Sequence, residues 1–85
     1  IEESENLQFK VYPNPLNEFA TIELPQKLST GNYIVINMQG QIVKTGSFGN
    51  SKFTILRQEL ATGYYQLVIA NKNNIPIGIK KIVIL

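Results

Sequence analysis

The chain has 85 residues, of which 44% are hydrophobic and 16% charged, and its formal net charge is +2. This composition indicates one globular domain, and no apolar run approaches the roughly 18 residues that a membrane-spanning helix needs. Cys, His, Trp and Asp are absent, which excludes thiolate and imidazole metal sites and the usual Cys/His and Ser/His catalytic pairs. The basic residues are too dispersed for a nucleic-acid surface. We therefore expect no enzyme activity, no metal and no cofactor.

The amino-terminal segment, residues 1–8, is acidic and irregular and has no signal-peptide pattern. We predict that it is the end of a linker from an upstream domain of a longer protein and that one domain covers residues 9–85. Phe9–Tyr12 predicts a first or edge strand. The phrase Tyr12-Pro13-Asn14-Pro15 predicts a rigid turn, because proline fixes φ and holds its predecessor extended.

The remaining strands are predicted from alternating or continuous apolar runs separated by turn residues. They are Phe19–Leu24, Tyr33–Met38, Ile42–Thr45, Lys52–Leu56, Tyr64–Ala70 and Ile75–Leu85. Gly40 predicts a tight hairpin turn, Ser47–Ser51 a loop, and Pro76 with Gly78 a break in the last strand. Seven strands at such short intervals predict an all-β, immunoglobulin-like antiparallel sandwich with Greek-key connections.

One phrase, Leu-x-Thr-Gly-x-Tyr, occurs twice, and each copy precedes an apolar run. The copies are Leu28–Tyr33 and Leu60–Tyr65. Gly31 and Gly63 suit a turn ahead of a strand. Tyr33 and Tyr65 are each expected to bury the ring and return the hydroxyl to the backbone, as in the tyrosine corner of Greek-key sandwiches. With Gly40, these residues are predicted to be structural corners.

Four phrases, taken in chain order, carry a resemblance to a known family. They are Tyr12-Pro13-Asn14-Pro15; Gly31-x-Tyr33 with Asn37-x-x-Gly40-Gln41-x-Val43; Leu60-x-x-Gly63-x-Tyr65-x-Leu67-x-Ile69; and Lys80-Lys81-Ile82-Val83. In this order they resemble the type A C-terminal sorting domain of the type IX (Por) secretion system of Bacteroidetes. The resemblance covers nearly the whole chain.

The resemblance implies a delivery signal at the end of a secreted protein. Such a domain is carried across the outer membrane by a translocon, handed over by a shuttle protein, and usually removed by a cell-surface sortase that commonly joins the cargo to lipopolysaccharide. The cut would fall near or upstream of residues 1–6, and the cargo would be secreted or held at the cell surface. Two features depart from the family: Leu85 stands where a basic residue is often found, and Asn37-Met38-Gln39 lacks a frequent Asp.

Recognition by this machinery is predicted for the first turn and the last strand. The residues are Tyr12, Pro13, Asn14, Pro15, Lys80, Lys81, Ile82, Val83 and Leu85. A stiff connection between strands would also explain the two prolines, and an edge strand protected by charge would explain the lysines. Strand addition or capture of a terminal carboxylate would suit the functional interpretation.

A second interpretation is an accessory β-sandwich module of a secreted enzyme, which would bind carbohydrate or a neighbouring domain. Its best candidate residue is Tyr64, whose ring should face away from that of Tyr65. A carbohydrate platform usually needs a row of coplanar aromatic rings, which this chain does not offer. The sequence leaves open whether the domain associates with itself through an exposed edge strand.

Overall fold

The computed structural model describes residues 8–15 and 18–85, and it contains seven β-strands there. They are β1 Lys10–Tyr12, β2 Phe19–Glu23, β3 Gly31–Asn37, β4 Ile42–Phe48, β5 Lys52–Leu56, β6 Gly63–Ala70 and β7 Pro76–Ile84. Residues 1–7 of the predicted linker lie outside the described residues. Within the described part, no helix is long and apolar enough to cross a membrane.

The strands form two antiparallel sheets, one with the order β1-β2-β5 and one with the order β4-β3-β6-β7. β2 pairs with β5 although the β3–β4 hairpin between them belongs to the other sheet. β3 likewise pairs with β6, although β5, which lies between them in the chain, belongs to the other sheet. Sequential strands thus cross repeatedly between the sheets, as Greek-key connections do. The predicted all-β, immunoglobulin-like sandwich is confirmed.

The hydrophobic core lies between the two sheets and follows the alternation of each strand. Its largest fully buried side chains are Ile22, Val35, Leu67, Ile69 and Ile84. Burial of one such side chain stabilises the fold by roughly 1.5–3 kcal/mol. Val68 and Ala70 are also buried but stand outside this core cluster, because alternation along β6 points them to the outer face of the four-stranded sheet.

Two predicted interruptions of strands are wrong. Ser47 and Phe48 continue β4 instead of starting a loop, and Phe48 is buried with its ring stacked on Phe53 at 4.6 Å. β7 is also continuous from Pro76, with only a register shift opposite Ile69 and Ala70. Pro76 is tolerated because it is the first residue of an edge strand, where a missing N–H does little harm to the ladder.

The β3–β4 and β6–β7 hairpins close in the same way, through an asparagine at the end of the first strand. The Asn37 side-chain oxygen accepts hydrogen bonds from the N–H groups of Gln39 and Gln41. The Asn71 side-chain oxygen likewise accepts from residues 73 and 75. The fourth residue of each turn has a positive φ, 84° at Gly40 and 65° at Asn74. The predicted turn at Gly40 is confirmed.

The two Leu-x-Thr-Gly-x-Tyr phrases differ in what their tyrosines do. The Tyr65 hydroxyl donates to the Ala61 carbonyl at 2.6 Å, which is the hydrogen bond of a tyrosine corner. Within residues 8–15 and 18–85, the Tyr33 hydroxyl makes no such bond. Its ring instead lies over Gly46 on β4 and stacks on Phe53 at 5.8 Å. The expectation of two tyrosine corners is therefore wrong for Tyr33, because the missing side chain of Gly46 leaves a place that the ring fills.

Candidate functional site

β7 is an edge strand of the four-stranded sheet, and its two ends differ in burial. Ile82 and Ile84 are buried in the core, whereas Ile79, Lys80 and Lys81 are exposed. Alternation alone would turn Lys80 to the same side as Ile82. Because β7 is at the edge, the Lys80 side chain leaves the sandwich beside the core instead of entering it, as long basic side chains commonly do.

Each lysine of this pair lies near an aromatic ring. The Lys80 Nζ atom is 5.9 Å from the centre of the buried Phe9 ring. The Lys81 Nζ atom, on the outer face, is 5.4 Å from the centre of the Tyr64 ring, which is 55% exposed. These distances are within the range of cation–π attraction, which is about 0.5–1 kcal/mol at exposed sites. The two positive charges are therefore held on opposite sides of one strand edge.

The proline-rich turn lies directly against this strand. The Asn14 side-chain oxygen accepts a hydrogen bond from the Val83 N–H at 3.1 Å, and its Nδ2 approaches the Lys81 carbonyl at 3.4 Å. The peptide bonds before Pro13 and Pro15 are both cis. The predicted turn and the predicted terminal strand, far apart in sequence, thus form one surface.

Tyr12 connects the same turn to the three-stranded sheet. Its hydroxyl donates to the Glu23 carboxylate at 3.2 Å, one strand away. Glu23 lies in a row between Lys10 on β1 and Lys52 on β5, so this outer face carries alternating charges. Pro13, Asn14 and Pro15 are exposed. The turn therefore reaches from one sheet to the edge of the other and stays accessible to a partner.

The end of β7 is held by a residue that sequence reasoning missed. Arg57 follows β5, and its guanidinium donates to the main-chain oxygen of Leu85, to the Leu60 carbonyl at 2.9 Å and to the Thr62 hydroxyl at 3.3 Å. An arginine suits this position because its planar fork carries five donors, whereas lysine has one rotating ammonium group. Arg57 is the only arginine in the chain, and this was the only feature of the sequence that could have drawn attention to it.

The second corner lies under the same end of the molecule, because Gly63 pairs with Ile84 of β7. The other predicted corners do not join this surface. Gly40 is at the tip of the β3–β4 hairpin, and Gly31 and Tyr33 lie along β3, away from the β7 edge. Leu85 is 61% exposed beside the site. The structure thus brings the turn, the terminal strand and one corner together and leaves the other corner elsewhere.

The polar groups described at this surface are backbone donors and acceptors, two lysines, an arginine, the Asn14 carboxamide, and the Tyr12 hydroxyl with the Glu23 carboxylate. Across residues 8–15 and 18–85, no group of three or more acidic side chains gathers in a way that could hold a metal ion.

In a comparison with protein-family models, residues 10–85 match the secretion system C-terminal sorting domain. A search of curated proteins gave no match. The match begins at the first residue of β1 and includes every strand, the proline-rich turn and the terminal strand. The chain therefore belongs to the family of C-terminal sorting domains of the type IX (Por) secretion system, and it is a signal that directs the secretion of a cargo protein.

Proposed function

We propose that the secretion machinery reads this domain at one place, the terminal recognition surface, made of Tyr12–Pro15 and Lys80–Val83. The observation that carries the proposal is the pair of contacts from Asn14 to the backbone of Lys81 and Val83. Two segments predicted separately as recognition elements are thereby held in one accessible patch. The readers are the type IX translocon, the shuttle protein and the cell-surface sortase.

The surface is suited to recognition because little of it has to be ordered on binding. The turn contains two prolines and is attached at two points, by Tyr12 to Glu23 and by Asn14 to β7. A partner that binds a prearranged surface loses less conformational entropy. Lys80 and Lys81 add positive charge at the edge, which speeds association with an acidic surface and favours the correct partner.

The folded domain is the sorting signal, and the sortase cleaves a peptide bond outside it. In this proposal residues 9–85 form the sorting domain and residues 1–8 are the end of a linker from an upstream cargo domain. The sortase cuts at or before that linker, and the cargo reaches the cell surface or the medium through the periplasm and outer membrane. Phe9 marks a physical limit for the cut, because its side chain is part of the buried core.

The test is a fusion of residues 1–85 behind a periplasmic reporter, expressed in a bacterium with a type IX system. We compare the unchanged domain with the Lys80→Glu/Lys81→Glu variant. Both lysines are exposed, so the variant should fold, and we expect the reporter to accumulate in the periplasm with its tag uncleaved. The readout is the fraction of reporter at the surface and in the medium, measured by fractionation and immunoblotting.

The matched control is Lys27→Glu/Lys72→Glu, which makes the same change of net charge at two exposed turn positions. This control should be secreted like the unchanged fusion. Equal secretion of all three fusions would remove the lysine pair from the signal. Failure of the unchanged fusion to leave the periplasm would contradict the proposal as a whole.

A further inference from the structure

The free edge of β7 has a backbone geometry that the β6 pairing determines. In an antiparallel ladder, residues alternate between those whose N–H and C=O point to the partner strand and those whose groups point away. Asn14 reaches the Lys81 carbonyl and the Val83 N–H, so residues 81 and 83 belong to the second kind. By the same alternation, the N–H and C=O of Ile79 also point away from β6.

Asn14 occupies this edge as a neighbouring strand would. Its carboxamide donates to one carbonyl and accepts from the N–H two residues further along, and a residue of a parallel strand makes the same pair of contacts. The carboxamide is exposed, and one of the two contacts is long, at 3.4 Å. Asn14 therefore closes one step of the ladder with weak, exchangeable bonds.

The rest of the free edge stays open among the described residues. No hydrogen bond from residues 8–15 or 18–85 reaches the N–H and C=O of Ile79, the N–H of Lys81 or the C=O of Val83. Ile79 is 55% exposed. Pro76 and the register shift near it blunt only the beginning of the strand. Backbone groups without a partner among the described residues thus lie on both sides of the two groups that Asn14 binds.

We propose that the free edge of β7 is a strand-addition site for an extended segment of a partner protein, and that Asn14 holds part of it closed until the partner displaces it. This inference rests on the proposed function and specifies how the terminal recognition surface is bound. The incoming segment continues the sheet β4-β3-β6-β7 as a fifth strand, with main-chain hydrogen bonds to Ile79, Lys81 and Val83.

The side chains along the edge define the chemistry of the segment. On the outer face it would lie next to the apolar side chains of Ile79 and Val83 and, between them, the charged side chain of Lys81. Neighbouring side chains on adjacent strands prefer apolar pairs and opposite charges. The segment is therefore apolar on its outer face, with one carboxylate placed beside Lys81.

The test uses the whole domain and a synthetic peptide, fluorescein-Val-Thr-Glu-Thr-Val-Thr-amide, in which the label is attached to the amino terminus and the Val and Glu side chains share one face of a strand. Fluorescence anisotropy gives the Kd, and NMR locates the contact at the amides of residues 79–83. We expect Asn14→Ala to bind the peptide about tenfold more tightly than the unchanged domain, because two competing hydrogen bonds are lost. The Val83 amide should also exchange its hydrogen faster in Asn14→Ala without peptide.

A second pair of variants tests the edge without changing Asn14. Ile79→Pro removes an N–H that takes no part in the β6–β7 ladder, so the fold should survive and the peptide should no longer bind. Ile79→Val keeps both that N–H and an apolar β-branched side chain, and it should bind as the unchanged domain does. The same peptide with N-methyl groups on alternate residues should not bind. Equal affinity of the unchanged domain and Asn14→Ala, or equal binding by the two Ile79 variants, would overturn the proposal.

The peptide assay and the secretion assay test different claims, so each claim can be rejected without the other. If the unchanged reporter fusion is not secreted, the sorting role is wrong, while the peptide result still decides whether the β7 edge accepts a strand. If the fusion is secreted but the peptide contacts no β7 amide in either the unchanged domain or Asn14→Ala, the recognition surface remains and strand addition is lost.

Discussion

The two copies of Leu-x-Thr-Gly-x-Tyr have the same residue pattern and begin two paired central strands of one sheet, yet they are stabilised differently. In the second copy, the Tyr65 hydroxyl bonds back to Ala61 in its own turn. In the first, the Tyr33 ring crosses to the neighbouring strand and covers Gly46. One tyrosine is thus held by a local hydrogen bond and the other by a cross-strand contact.

The glycines of the two copies differ as well. Gly63 has φ +153°, and nothing lies within 4 Å of the place where a Cβ would be. Gly31 has a close neighbour instead: a Cβ there would clash with the Ala70 carbonyl oxygen and come within 2.9 Å of the Phe48 ring. Gly63 is therefore needed for its backbone angle, and Gly31 for the space it leaves. A repeated phrase predicts where strands begin, while the partner strands decide why each residue is required.

The largest effect is expected at Gly31. Gly31→Ala should lower the free energy of unfolding by about 3 kcal/mol, because the Ala70 carbonyl belongs to the backbone of a paired strand and cannot move aside. This corresponds to a fall in Tm of roughly 12–24 °C for a domain of this size. The matched variant Gly63→Ala should lose only about 1–2 kcal/mol, from backbone strain alone. Thermal unfolding followed by circular dichroism measures both, and a larger loss at Gly63 would reverse the comparison.

Gly46→Ala should come next, with a loss of about 2 kcal/mol. The new methyl group would meet the Tyr33 ring at 2.5 Å, and that ring is held by its stack with Phe53. In the double variant Gly46→Ala/Tyr33→Leu the clash is removed, so the two losses should add to more than the measured total. Urea unfolding of the four members of this cycle gives the coupling energy. Strict additivity would show that Tyr33 and Gly46 do not depend on each other.

Tyr65→Phe should have a moderate effect, about 1–1.5 kcal/mol, because it removes the hydroxyl that bonds to Ala61 and leaves that partly buried carbonyl without its partner. Hydrogen exchange of the amides near residues 61–63 should speed up in the same variant. Unchanged stability and unchanged exchange would mean that the corner bond does not hold this turn.

Tyr33→Phe should have the smallest effect, less than about 0.5 kcal/mol, since within the described chain the hydroxyl makes no hydrogen bond and the ring contacts are kept. The same urea measurements compare it directly with Tyr65→Phe. Equal losses in the two variants would restore the equivalence of the two phrases.

The fold was predictable because its information is local. Alternating side chains, prolines and glycines mark all seven strands, and the similar turns at Asn37 and Asn71 could also have been found from their spacing. The first tyrosine could not be assigned, because its position depends on Gly46 in another strand. The errors at Ser47, Phe48 and Pro76 have the same origin: Phe48 is retained in β4 by burial against Phe53, and Pro76 by its place at a sheet edge.

The candidate site was predictable only in its parts. Composition and motif order pointed to the turn and the last strand, but the contact between Asn14 and Val83 joins residues at opposite ends of the chain. No periodicity or spacing reports such a pair. Arg57 was missed for a similar reason: Leu60 and Thr62 lie three and five residues further along the chain, but Leu85 meets Arg57 only when β5 and β7 are assembled.

The position of β7 at the edge of its sheet affects how the domain responds to a pulling force. β3 and β6 are each hydrogen-bonded on both sides, so pulling either one out would tear two ladders at once. Tension at Leu85 would instead break the Arg57 contact, and β7 would then unzip from β6 one pair at a time from Ile84 onward, with the Asn14 hydrogen bonds breaking at Val83 and Lys81. The last strand can therefore be peeled by a small steady force while the central strands resist it.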